Sequence, residues 1–407
     1  MKIGKLSINR ADYYIWLYFI YQLQGFLYPT GALSQTLGVL FLVLSFIFGG
    51  KYLFINSERP TLLNITALLI WMYIVYGTIF YFSSSLRDLE LNRYYYIQGY
   101  LFSLMPILAF YGFFQKKFFN KQKIYFYIIP FFILALLLFV KNYNDVILRV
   151  QDEGRDLEEI TNNIGYSFLL LLPLILLIKN KIFKYLLLLV TFGFIISSFK
   201  RGAIIIATIS FFYIIYYDLI HSRGKNKILT ILILLTVLII GYKYVVDLYS
   251  TSDYFQYRVE KTEEGSMSHR DEVWAEVWES YLSGNPIQLL IGHGANSTLE
   301  ASDNYAHNDW LETLHNNGFL GALLLLSFYL YILRTGSKLK QYITQEEFLS
   351  FRVLFIICFV RTFFSMSILD MGLSITLVLG YLIYLRDRNL INSKLVLNDD
   401  KKSVATD

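Results

Sequence analysis

The chain has 407 residues, of which 56% are hydrophobic and only 16% are charged, with a formal net charge of +5. Water-soluble globular proteins carry roughly 25% charged residues, so this composition excludes a soluble globule and indicates a protein of the lipid bilayer. The one cysteine, Cys358, excludes an intrachain disulfide and a zinc site built from several thiolates.

Apolar stretches long enough to cross a bilayer recur along the chain. Each has about 15 or more residues almost without charge, and one helical span needs about 20 apolar residues. They predict an all-α, polytopic membrane protein with about twelve transmembrane helices. The predicted spans are residues 13–30, 33–50, 61–82, 95–114, 124–140, 164–178, 182–199, 202–220, 228–247, 316–333, 349–366 and 371–385.

These spans divide the chain into four parts. Residues 1–247 hold the first nine helices, residues 248–315 form one long loop, residues 316–386 hold the last three helices, and residues 387–407 form a tail. Lys and Arg are about twice as numerous in the segments on the side of the N-terminus as in those on the other side. Because basic loops stay in the cytoplasm, we expect both termini to be cytoplasmic and the long loop to lie outside.

The long loop and its junction with the next span carry most of the side chains suited to chemistry. A loop longer than about 15 residues without regular structure is usually functional or disordered, and this one is too aromatic to be disordered. Four of the five histidines and three of the five tryptophans lie here, namely His269, His293, His307, His315, Trp274, Trp278 and Trp310.

Residues 268–284 predict an amphipathic helix within the loop. Ser268 is placed to cap its start, and acidic residues lie around the helix away from its apolar stripe. Tryptophans on the stripe favour a helix lying on the membrane surface. Arg270 lies over the same stripe, where it either contacts lipid phosphates or serves as a functional cation. The stripe comprises Val273, Trp274, Val277, Trp278, Tyr281 and Leu282.

Two further patterns follow this helix. Residues 292–294, Gly-His-Gly, predict a structural turn, since a phosphate-binding loop would need a strand before it and a helix after it. Residues 305–321 then run into the next span, with His307 at its outer mouth and Asp309 as an exposed first-turn residue that compensates the helix dipole. The packing stripe predicted for this helix comprises Leu311, Leu314, Gly318 and Gly321.

Taken together, these motifs resemble the O-antigen ligase/polymerase family. The tract Ala306-His307-Asn308-x-x-Leu311-Glu312-x-Leu314-x-x-x-Gly318-x-x-Gly321, preceded by Arg270-x-x-x-Trp274 and Gly292-x-Gly294, is similar to the family's signature region. A second tract, Ser197-Ser198-Phe-Lys200-Arg201-Gly202-Ala203, is similar to its basic signature between adjacent spans. The resemblance covers about residues 197–321. Lys200 departs from the family, in which a small or polar residue is common before the arginine.

The resemblance implies a glycosyltransferase of the bacterial inner membrane that acts at the periplasmic face with inversion and without a metal or other cofactor. The implied donor is an undecaprenyl pyrophosphate-linked oligosaccharide. The acceptor is another lipid-linked repeat unit in a polymerase, which we take as the first hypothesis, or lipid A core in a ligase, which is the alternative. Membrane lipids and a chain-length regulator are further expected partners, and nucleic acid is not.

The resemblance also assigns roles to residues. Arg201 and Arg270 resemble the family's phosphate-binding arginines, and arginine offers two parallel hydrogen bonds to a phosphate. His307 resembles the catalytic histidine, and a neutral histidine can accept the proton of the acceptor hydroxyl. Lys200 and Arg361 are expected to extend the pyrophosphate site.

Some of these residues have a second interpretation. Arg361 lies toward the outer end of its span and either extends the basic cavity or pairs with Asp370. Asn308 and Asp309 are expected to orient the ring or the sugar, and compensation of the helix dipole is the other interpretation of Asp309. His315 is a candidate supporting residue, although its place deeper in the helix favours a packed polar side chain.

Two other classes of protein stay open. A flippase or secondary transporter would carry ionisable groups at mid-membrane and repeated halves, and the sequence shows neither clearly. A metal-dependent intramembrane hydrolase would use Glu312 and His315 with His307, but the sequence contains no His-Glu-x-x-His motif.

Overall fold

A computed structural model describes residues 8–27, 32–54, 65–72, 75, 94–150, 164–221, 224–263, 269–368 and 370–404. Over these residues the chain is all-helical, as the sequence predicts, and residues 65–72 are helical as well. In chain order the other helices are α1 (Arg10–Leu27), α2 (Ala32–Phe54), α3 (Tyr94–Gln115), α4 (Lys121–Val150), α5 (Ile164–Leu169), α6 (Leu172–Leu176), α7 (Lys181–Ser197), α8 (Arg201–His221), α9 (Lys225–Thr251), α10 (Asp253–Glu263), α11 (Arg270–Leu282), α12 (Pro286–Ile291), α13 (Thr298–Ser302), α14 (Asp309–Leu339), α15 (Gln345–Arg361) and α16 (Gly372–Val404).

Several of these helices have the length and composition of membrane spans. Among the described residues, four qualify by both criteria, and two shorter apolar helices, Leu101–Gln115 and Gly165–Leu176, accompany them. The chain is a polytopic membrane protein, and the count of twelve spans stays a prediction. Part of the predicted span 61–82 lies outside the described residues. The four long spans are Ala32–Gly50, Lys121–Asn144, Arg201–His221 and Asp309–Leu339.

Packing between helices explains how the spans are arranged. Helix α3 packs along α2 and α16, and α15 packs against α6 and α8. Buried aromatic rings fill these contacts, as where Phe168 of α5 stacks on Phe194 of α7 with ring centroids 4.7 Å apart. Because lipid tails are as apolar as these side chains, association of the helices depends on close packing rather than on the hydrophobic effect. Helices α11, α12 and α13 pack on the first part of α14, at one end of the bundle.

Two predicted helices are interrupted. The predicted span 164–178 divides into α5 and α6, with Pro173 near the start of α6, where its missing N–H costs no hydrogen bond. In α14, Gly318 has a non-helical φ of 67° and ψ of −171°. The prediction that Gly318 belongs to a helical packing stripe is therefore wrong.

The break at Gly318 has a physical cause in the loop that passes beside it. A Cβ atom at Gly318 would lie 2.5 Å from the backbone nitrogen of Gly292, so a side chain has no room there. The break releases the carbonyl of His315, which accepts a hydrogen bond of 2.8 Å from the N–H of His293. Residues 292–294 thus form the structural turn that the sequence predicts.

Ion pairs join the helices at the opposite end of the bundle. Lys121, at the start of α4, lies 2.8 Å from Glu347 at the start of α15. Lys123 pairs with Asp12 of α1. Arg361 ends α15, about 20 Å from Glu347 at a rise of about 1.5 Å per residue. The length of α15 therefore separates these structural ion pairs from the end that carries the predicted site.

Candidate functional site

Helix α11 positions Arg270 and Trp274. It begins at Arg270 rather than at residue 268, and Ser268, the predicted cap, lies outside the described residues. The apolar stripe divides between two environments, since Val277 and Tyr281 are buried against the protein whereas Trp278 is 44% exposed. The stripe therefore fixes α11 to the protein, and contact of its exposed part with the membrane surface stays a prediction.

Arg270 is directed into the protein. Its Nη1 donates a hydrogen bond of 3.1 Å to the carbonyl of Phe364, in the turn that follows α15. One helical turn further, Trp274 Nε1 donates to the carbonyl of Ala306 at 2.7 Å. Arg270 is thus bonded to the protein, and its role as a functional cation stays a prediction. Helix α11 is tied both to the turn after α15 and to the loop before α14.

The ring of Tyr166 lies close to two cationic side chains of the site, and sequence reasoning did not identify this residue. The guanidinium carbon of Arg361 lies 4.4 Å from the centroid of its ring, and Lys200 Nζ lies 5.8 Å from the same centroid. Both distances permit a cation–π interaction. Tyr166 lies in an apolar run with no charged neighbour, so nothing in the local sequence marks it.

Arg361 pairs with Asp370, as one of its two sequence interpretations expects, and a role in the pyrophosphate site stays a prediction. Its side chain is 2% exposed and donates from Nη2 to the Asp370 carboxylate at 2.8 Å and from Nη1 to the Asp370 carbonyl at 2.6 Å. It also lies over Tyr166, beside the other cations. Because Asp370 balances its charge, Arg361 contributes less unbalanced positive potential than its position alone suggests.

Arg201 lies in the same region of the protein as Tyr166. It begins α8, and its neighbour Gly202 lies so close to Tyr166 and Phe364 that a Cβ atom there would be 2.7 Å from the Tyr166 hydroxyl and 3.2 Å from Phe364 Cβ. Arg201 and Arg270 are thus each the first residue of a helix. A cation at the positive end of a helix dipole is unfavourable, so both helix starts concentrate positive potential that an anion would relieve.

His307 lies in the loop before α14, close to these cations. Burial, and then the charges of Arg270 and Lys200, lower the pKa of His307 to about 4. The imidazole is therefore neutral at neutral pH, and it retains a nitrogen lone pair able to accept a proton.

Strained backbone occurs at the same place: among the described residues, six non-glycine residues have left-handed φ, and three of them border the site. Three non-glycine residues with left-handed φ, Phe199 (55°), His269 (57°) and His307 (51°), stand at or directly before Lys200, Arg270 and His307. Such a conformation costs of order 1–3 kcal/mol and persists only where the surrounding structure holds it. Strain of this kind is frequent at active sites and ligand-binding positions.

Comparison with known proteins agrees with this geometry. Residues 186–326, which include Lys200, Arg201, Arg270 and His307, match the family model described as O-antigen ligase. This segment is an O-antigen ligase family domain. The chain therefore contains a glycosyltransferase domain of the O-antigen ligase type over these residues. No curated protein matches it in sequence.

In this O-antigen ligase family domain, Asn308 and Asp309 fix the start of α14. The Asn308 side chain accepts hydrogen bonds from the backbone N–H groups of residues 310 and 311, as a helix cap does. Asp309 is buried, and the expectation of an exposed side chain is wrong. Its Oδ2 accepts from the N–H of Ser367 at 2.9 Å and of Ile368 at 3.2 Å, because the turn after α15 folds over it.

His315 lies away from the cations, in a buried polar cluster of the domain. Its ring nitrogens lie 3.0 Å from the hydroxyl of Ser280 and 2.8 Å from that of Ser297, and its ring stacks on His293 with centroids 4.6 Å apart. This arrangement agrees with a packed polar residue.

Two of the three residues named for a metal-dependent hydrolase, Glu312 and His315, are engaged in hydrogen bonds. Glu312 accepts from Thr298 Oγ1 at 2.8 Å and from the Ala306 N–H at 2.6 Å, and His315 contacts two serines. Within the part of the chain that the structure describes, no group of three or more His, Cys, Asp or Glu residues is arranged to hold a metal ion.

Proposed function

We propose that this enzyme transfers an undecaprenyl pyrophosphate-linked oligosaccharide to a second lipid-linked repeat unit at the periplasmic face, with inversion and without a metal. The observation that supports this function is the position of a neutral His307 beside Arg270 and Lys200, where two helices begin. Polymerisation is the first hypothesis. The ligase reaction, with lipid A core as acceptor, is the second candidate, and the description of the matching family model favours it.

The cations are suited to the leaving group. As the bond between the sugar and the pyrophosphate breaks, negative charge develops on the departing oxygen, and fixed positive groups stabilise that charge more than they stabilise the ground state. Arg201 and Arg270 carry planar guanidinium groups that bind phosphate oxygens in pairs. Because each also begins a helix, the dipoles of α8 and α11 add to the attraction.

The neutral imidazole is suited to the acceptor. His307 takes the proton of the acceptor hydroxyl while that oxygen attacks the anomeric carbon from the side opposite the pyrophosphate. The new carbon–oxygen bond forms as the old one breaks, and the electron pair of the old bond leaves with the pyrophosphate. The imidazolium that results is offset by the anionic leaving group beside it.

Donor binding should strengthen this base. The charges of Arg270 and Lys200 help to lower the pKa of His307 in the free enzyme. A bound pyrophosphate offsets those charges, so the pKa of His307 should be higher in the complex. The enzyme would thus acquire its stronger base when the donor is in place.

The pH dependence of turnover tests this coupling. Protonated His307 cannot act as a base, so activity should fall as the pH decreases through its pKa. The acid limb of kcat/KM, which reports the free enzyme, should lie near pH 4, and the acid limb of kcat should lie at a higher pH. Steady-state rates with purified lipid-linked donor from about pH 3 to pH 8 would measure both limbs. Coincident limbs would contradict the coupling.

Glycan analysis of a strain that lacks this gene distinguishes the two acceptors. Loss of a polymerase should leave lipid A core capped with single repeat units, because ligation continues without polymerisation. Loss of a ligase should leave bare core while lipid-linked polymer accumulates. Bare core with accumulated polymer would overturn the polymerase hypothesis and establish the ligase reaction.

A further inference from the structure

We propose that Glu312 and Trp274 are positioning residues that hold His307 in place through the backbone of Ala306, an inference that rests on the function proposed for His307. Ala306 is fully buried. Its N–H donates to Glu312 Oε1 at 2.6 Å, and its carbonyl accepts from Trp274 Nε1 at 2.7 Å. The residue before His307 is therefore held at both of its backbone polar groups.

Glu312 is a rigid anchor. It is 3% exposed, and its second carboxylate oxygen accepts from Thr298 Oγ1 at 2.8 Å and from Asn316 Nδ2 at 3.2 Å. Hydrogen bonds to a carboxylate are stronger than bonds between neutral groups, and a buried network in which each oxygen is satisfied is rigid. Glu312 lies one turn inside α14, so it fixes the loop to the helix that follows it.

Trp274 connects the same residue, Ala306, to the helix that carries the proposed phosphate-binding Arg270. It lies on α11 one helical turn after Arg270, about 6 Å along the helix axis. Its indole bond to Ala306 therefore sets the separation between Arg270 and His307. This bond links the group proposed to bind the leaving pyrophosphate with the group proposed to deprotonate the acceptor.

The backbone of His307 depends on this support. Its φ of 51° is unfavourable for a residue with a Cβ atom, and a loop without restraint would leave that conformation. On the other side, the N–H of Asp309 donates to the carbonyl of Thr362 at 2.8 Å. Loss of either bond at Ala306 would weaken the support on that side of His307, and a displacement of about 1 Å in a catalytic group can cost about 100-fold in rate.

Substitutions at the two residues test the proposal. Glu312→Ala should lower kcat by about 10- to 100-fold without changing the Kd for lipid-linked donor. Glu312→Gln keeps an amide oxygen for the Ala306 N–H and should lose less than about 5-fold. Trp274→Phe keeps a ring but removes the donor and should lose about 10-fold. Matched controls are Glu276→Gln and Trp278→Phe, both exposed on α11, which should behave as wild type.

The pH profile separates positioning from general structural damage. A displaced His307 is more exposed and further from Arg270 and Lys200, so the acid limb of kcat/KM should move up toward about pH 6.5, the ordinary histidine value. Trp274→Phe changes no charge, so a moved limb in this variant reports a displaced His307. A smaller fraction of folded enzyme would lower the rate without moving the limb.

A double-mutant cycle completes the test. If Glu312 and Trp274 act through His307, neither substitution should reduce the residual rate of His307→Ala further. Wild-type kcat and an unmoved limb in Trp274→Phe, with His307→Ala inactive, would overturn the positioning role and leave the proposed function intact. Wild-type turnover in His307→Ala would overturn the proposed function and the positioning role with it. If Glu312→Ala does not accumulate in the membrane, Trp274→Phe decides the result.

Discussion

Replacement of His307 with alanine should lower the turnover of the purified enzyme by about 10²- to 10⁴-fold, the usual loss when a general base is removed. Donor binding should persist, because the neutral imidazole adds no charge to the pyrophosphate site and the arginines are retained. The measurements are the rate of glycan transfer from purified lipid-linked donor and the equilibrium binding of that donor. The acid limb assigned to His307 should also disappear.

Backbone strain must be separated from this effect. Asn tolerates left-handed φ better than most residues but is not a base, so His307→Asn should be as inactive as His307→Ala. Asp303 shares the loop and the left-handed conformation, with φ of 53°, and its side chain is exposed, so Asp303→Ala is a matched control. Transfer at the wild-type rate by purified His307→Ala would refute the mechanism even though the family assignment stands.

The helices of this protein could be predicted because each apolar run carries its own signal. Helices Lys121–Val150 and Arg201–His221 follow from local composition, since a buried or lipid-exposed backbone must satisfy its hydrogen bonds within the helix. The break in α14 could not be predicted in this way. Gly318 leaves the helix because the backbone of Gly292 occupies the space beside it, and that contact joins residues far apart in the chain.

The same distinction between local and distant contacts applies to the site. Arg270 and His307 could be proposed from residue type, spacing and family resemblance. Tyr166 could not, because the cations around it, Lys200 and Arg361, come from distant segments of the chain and meet only in the folded protein. The burial of Asp309 could not be predicted either, because the turn that covers it follows a different span and is distant in the sequence.

Arg270 should have the second large effect on activity. Arg270→Ala removes a cation from a helix start and should reduce transfer by about 10²- to 10³-fold, the usual cost of removing one group that stabilises transition-state charge. It should also weaken donor binding, which distinguishes it from His307→Ala. Because the Arg270 charge helps to lower the pKa of His307, the acid limb of kcat/KM should move to higher pH.

The lysine variant separates charge from geometry. Arg270→Lys keeps the positive charge but loses the planar guanidinium that makes two parallel bonds to phosphate, so it should bind donor better than Arg270→Ala and still turn over more slowly than wild type. Arg334, exposed on α14, supplies the control, and Arg334→Ala should retain wild-type activity at equal membrane abundance. Arg201→Ala should resemble Arg270→Ala if both arginines meet one pyrophosphate. Normal polymer from both Arg201→Ala and Arg270→Ala would refute the assignment of these arginines to the pyrophosphate, because neither would then be needed to hold the leaving group.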